Sequence, residues 1–145
     1  MVCTFFGHRD CYGLDKAVLQ KAIEEQILRG VDTFYVGHQG HFDSMVLACL
    51  RNLQGIYPHI CFSVVLAYMP AAGQAFDPYA DCSIFLEGLE ACLPKFAIER
   101  RNRWMLRRAD CCICYVNHPW GGAYKFTRAA KRHGLTVVNL GNGGR

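Results

Sequence analysis

TFYVGHQGHFD, residues 33–43, is the stretch on which the fold turns. Thr33 to Val36 read as a short buried strand, and Gly37 stops it. Gly40 follows, and from Asp43 to Leu53 a helix is expected, with Met45, Val46, Ala48, Cys49 and Leu53 available for its inner face. Gly55 and Pro58 close it. A strand, a glycine-bearing turn and a helix N-terminus make the unit from which parallel α/β sheets are assembled.

The unit recurs on both sides. Upstream, VCTFF (2–6) is an apolar run ending in Gly7. A helix over 14–29 follows, with Leu14, Ala17, Val18, Ala22, Ile23, Ile27 and Leu28 at helical spacing and Gly30 as C-cap. Downstream, ICFSVVLAY (60–68) is the longest β-branched run and reads as a central strand. Residues 70–83, with Pro70, Gly73 and Pro78, read as a loop, 84–92 as a short helix and 96–109 as a basic helix. CCICYV (111–116) is a fourth strand. Trp120-Gly121-Gly122 leads into a helix over 123–133 capped by Gly134, TVVNL (136–140) is a fifth strand, and GNGGR is a frayed tail. The expectation is one α/β domain over 1–145, a Rossmann-like parallel sheet of about five strands with helices on both faces.

Bulk composition agrees. A chain of 145 residues can bury a core as one domain, and 52% hydrophobic against 19% charged residues excludes disorder. No apolar run reaches the length of about 20 residues that spans a bilayer, so no membrane partner is expected. MVCTFFGHRD lacks a basic stretch followed by an apolar one, which points to a cytoplasmic protein. Nine cysteines then read as reduced thiols, mostly small hydrophobes in apolar runs. In CCIC (111–114), Cys112 and Cys114 share one strand face and Cys111 points to the other. With no CxxC pair, no metal site is expected. The charge is uneven: residues 1–94 carry 5 Lys/Arg and 10 Asp/Glu, residues 95–145 carry 11 and 2. A basic C-terminal third favours an anionic partner, although Arg107, Arg108, Lys131 and Arg132 read as a solvated helix face.

Ligands of parallel sheets bind beyond the carboxyl ends of the strands. Three segments fall there: GHRD (7–10), GHQGHFD (37–43) and NHPWGG (117–122). Their glycines allow a backbone to approach a ligand, and two lead into helix N-termini, which attract phosphate. The glycines are Gly7, Gly37, Gly40, Gly121 and Gly122, and His8 and Arg9 beside the first read either as a grip on an anion or as a surface turn. Asp43 reads either as a ribose ligand or as the N-cap of its helix. His38 and His41 read as loop surface, and His118 and Trp120 as base-stacking or rim residues. No GxGxxG with a distal acid, no Walker A and no GxSxG occurs, so no cofactor is implied.

FFGHR, FYVGHQGHFD, ERRNRWMLRRAD and WGGAYKFTRAAKRHG, in that order, resemble the YpsA-like branch of the SLOG superfamily. The likeness covers nearly the whole chain and is least over 70–95. It implies a Rossmann-like fold and a site for a nucleotide-type small molecule, carried by the glycines above with His8, Arg9, Asp43, Arg101 and Asn102. It also makes a homodimer or larger oligomer an expectation. The phosphoribohydrolases of the same superfamily resemble this chain through R-K-x-x-M, here Arg101 to Met105 with Asn102 where Lys stands, and through G-G-x-G-T-x-E, here from Gly121 with Thr127 where the catalytic Glu stands. Glycosidic cleavage calls for a carboxylate. Arg101 and Asp43 are therefore the candidates for any chemistry, and Arg101 also offers a planar fork to phosphate. The leading expectation is a binding or sensor module. A nucleoside-phosphate hydrolase is second, and single-stranded nucleic acid binding, as in DprA, third.

Overall fold

The apolar run that opens the chain becomes the middle of the sheet. In the computed structural model, which describes residues 1–38, 40–67, 83–86 and 88–141, six strands pair in parallel. They are β1 (Val2–Gly7), β2 (Thr33–Val36), β3 (Cys61–Leu66), β4 (Ser83–Phe85), β5 (Cys111–Tyr115) and β6 (Thr136–Asn139). The order across the sheet is β4-β3-β2-β1-β5-β6. The chain moves outward from β1 to β4, then returns to lay β5 along the other side of β1, with Gly7 opposite Tyr115. The topological switch point lies between β1 and β5, where a ligand crevice is expected.

Among the described residues, four α-helices cover both faces: α1 (Lys16–Leu28), α2 (Gly40–Ile56), α3 (Pro94–Arg108) and α4 (Gly122–Arg132). On one face, Phe5, Phe34, Val64 and Ile113 pack against α1 and α2 through Leu19, Ile23, Val46 and Leu50. On the other, Phe6, Val65, Cys112 and Cys114 meet Met105 and Leu106 of α3 and Phe126 and Ala130 of α4. Cys112 and Cys114 do share a face, with their sulfurs 3.1 Å apart, and Cys111 joins the opposite core. The eight described cysteines are free thiols.

The expected short helix over 84–92 is corrected. Ser83–Phe85 form a sixth strand on the open edge of β3, and only Leu89–Ala91 turn as a 3-10 helix. Three residues carry no periodicity of their own, so a distant strand edge decides their conformation. The stripe of α1 is also rotated: Leu19, Ala22, Ile23, Gln26 and Ile27 are buried, while Ala17, Val18 and Leu28 face solvent. Asp15 caps this helix, accepting from the Ala17 N–H at 2.9 Å. The central strand is shorter than ICFSVVLAY. Residues 68–82 lie outside the described ones, as does the tail 142–145. No helix among the described residues is long and apolar enough to cross a membrane.

Candidate functional site

Past the paired ends of β1 and β5, the His8 N–H still donates to the Tyr115 carbonyl at 3.0 Å, and then the two chains part. A cavity of about 260 Å³ opens there. Eight of the ten residues expected to bind line it: Gly7, His8 and Arg9 beyond β1, Gly37 and Asp43 beyond β2, Arg101 and Asn102 from α3, and Gly122 at the start of α4.

The other two sit elsewhere. Gly40, with φ +86, opens α2 against the loop after β1, and a Cβ there would lie 3.0 Å from the Cα of Arg9. It supports Arg9 from behind, helped by the His41 N–H, which donates to the Arg9 carbonyl at 3.1 Å. Gly121 lines a neighbouring cavity of about 520 Å³ that shares Arg9, Ile98, Asn102 and Gly122 with the first.

Asp43 is not the N-cap of α2: the helix begins three residues earlier, and Asp43 stands in its first turn, 9% exposed. Its carboxylate and the Arg101 guanidinium meet over the backbone of Gly37. A Cβ on Gly37 would lie 2.8 Å from Asp43 Oδ2 and 3.0 Å from Arg101 Cζ, so only glycine lets both groups approach. Arg101 is 4% exposed, and its Nε donates to Asn102 Oδ1 at 3.1 Å. A guanidinium cannot give up its proton, so the site keeps a positive charge, and Asp43 partly balances it.

At the rim, His8 stacks on His118 with ring centroids 3.6 Å apart, and His118 stacks on Trp120 at 4.0 Å. His8 Nε2 and His118 Nδ1 are buried and have no hydrogen-bond partner among the described residues. Burial, and then the charge of His118, hold His8 below the usual histidine range, so it is neutral at pH 7. Trp120 does not line the cavity; its outer face is exposed.

Thr127 is buried beside the Cys114 thiol and is not on the cavity wall. Glu99 pairs instead with Lys125 and borders the neighbouring cavity. Among the described residues, Asp43 is thus the carboxylate on the wall of the first cavity.

The apolar wall was not foreseen. Ile98 and Met105 line the cavity, and their signal is present in the sequence: 98, 101, 102 and 105 share one face of a helix. On the other side of α3, Arg100, Arg103, Arg107 and Arg108 border a separate groove with Trp104, and the Arg108 guanidinium lies 3.9 Å above the indole. Among the described residues, no group of three or more His, Cys, Asp or Glu is placed to hold a metal. The chain matches no protein-family model and no curated protein.

Proposed function

We propose that this chain binds a nucleotide-type ligand at the switch point between β1 and β5, as a binding or sensor module like the YpsA-like SLOG domains it resembles. One observation carries the reading: glycine-bearing turns from distant parts of the chain converge on one cavity that holds a buried arginine. The phosphate sits against Arg101, Arg9 and the free N–H groups at the start of α4, where the helix dipole favours an anion. The ribose hydroxyls face Asp43. Apolar Ile98 and Met105 exclude water beside the charge and strengthen it.

Binding without hydrolysis is the better reading because Thr127 lacks a carboxylate and is packed away from the cavity. The reading places the protein in the cytoplasm, with reduced thiols, as a homodimer or larger.

Isothermal titration with AMP, ADP-ribose, NAD and a cyclic nucleotide tests it. At least one is expected to bind, and Arg101→Gln to weaken that binding about a hundredfold, the loss of a charged, buried contact. No heat from any of the four, with no ligand retained through purification, sinks the proposal. Free base released from AMP or CMP, and stopped by Asp43→Asn, replaces it with a hydrolase.

A further inference from the structure

The geometry points to a second site, independent of the anion cavity: Cys11, His41 and Met45 form a seat for a soft monovalent cation, Cu(I). Cys11 lies in the loop between β1 and α1. His41 and Met45 lie one turn apart on the same face of α2. The Cys11 sulfur is 3.3 Å from His41 Nδ1 and 3.5 Å from Met45 Sδ. Metal bonds to nitrogen and sulfur are about 2.0–2.3 Å long. An ion bonded to the Cys11 sulfur at such a length reaches His41 Nδ1 and Met45 Sδ as well, and each of these two donors subtends about 100° with the sulfur.

The donor types select the ion. A thiolate with an imidazole suits zinc and copper alike, but a thioether is a ligand for Cu(I) and a poor one for harder divalent ions. Access is through His41, which is exposed, while Cys11 is fully buried behind it and Met45 is half-buried. Tyr12 flanks the imidazole, with ring centroids 5.5 Å apart. Binding exchanges the thiol proton for the ion, and no oxidation state changes.

The site ties the loop carrying Arg9 to the first turn of α2, where the His41 N–H already holds the Arg9 carbonyl. A bound ion therefore stiffens one lip of the anion cavity without occupying it.

The test is an anaerobic titration of the full chain with Cu(I) in competition with bicinchoninate. Wild type is expected to withdraw one Cu(I) from the chelator with a site that Met45→Leu weakens at least about tenfold. His41→Ala should weaken it similarly, and Cys11→Ser should abolish it. Cys61→Ser, which removes an exposed thiol on β3, should leave it unchanged. X-ray absorption should report both sulfur and nitrogen around the copper. Copper held by the Cys112–Cys114 pair does not respond to Met45→Leu, so the two sources separate. Equal Cu(I) affinity in wild type, Met45→Leu and His41→Ala overturns the proposal even if Cys11→Ser does not fold. Zn(II) retained more tightly than Cu(I) against matched chelators overturns the assignment of the ion.

Discussion

On the inner side of α3, Arg101 is 4% exposed, packed over Gly37 and held by Asn102; on the outer side, Arg100, Arg103 and Arg107 stand in solvent. The residue type is the same and the helix is the same. Ile98, Asn102 and Met105 turn one face toward the sheet, and Arg101 is carried inward with them. A charge buried this way is kept only where an opposite charge and hydrogen bonds compensate it. The outer arginines cost little and hold little. The difference between the two sides is the strongest mark of a site in this molecule, and it can be broken or sharpened by experiment.

Arg101→Ala should have the largest effect. It leaves the Asp43 carboxylate buried without its opposing charge, at a cost of about 3–5 kcal/mol. Urea unfolding measures this, and wild-type stability in the variant would mean that the two sides of α3 do not differ.

Gly37→Ala comes next. The added methyl pushes Asp43 and Arg101 apart, so ligand affinity should fall about tenfold and stability by about 1–3 kcal/mol. Full affinity in this variant would separate the site from the Asp43–Arg101 contact.

The pH response is smaller. The folded-state pKa of His8 lies below its unfolded value, so the unfolded chain binds more protons around pH 6. His8 therefore adds stability that is fully present above its ordinary pKa of about 6.5 and is lost as the pH falls toward the folded value. The melting temperature should drop between about pH 7.5 and 5.5, and His8→Gln should flatten the slope. An anion favours the imidazolium, so ligand affinity should rise over the same fall in pH. An identical slope in wild type and His8→Gln removes His8 from the account.

Arg103→Gln is the smallest, with stability within about 0.5 kcal/mol of wild type and ligand affinity unchanged. Oligonucleotide binding that falls steeply with salt, and further in Arg103→Gln, would give the outer side a role of its own.

Much of this was legible in the chain. Gly7, Gly37 and Gly122 stop strands or open a helix, and those local signals need no tertiary knowledge. The roles of Gly40 and Gly121 were not legible, because a glycine that supports a loop and one that faces a ligand look alike in sequence. Nor was the place of Asp43, since α2 begins at Gly40, three residues before it, where the backbone lies close against Arg9. The His8–His118–Trp120 stack joins residues more than a hundred positions apart, and no periodicity announces it.

Local hydrophobic pattern and glycine placement by themselves determined the alternation of strands and helices, the parallel sheet and the edge at which the glycine-bearing turns gather. Those follow from which residues avoid water and which backbones can turn. The tertiary structure alone decided that Ser83–Phe85 pair with β3, that Arg101 faces inward, and that Cys11 meets His41 and Met45. Such outcomes depend on long-range packing, where the partner's position rather than the residue's own preference sets the lowest free energy.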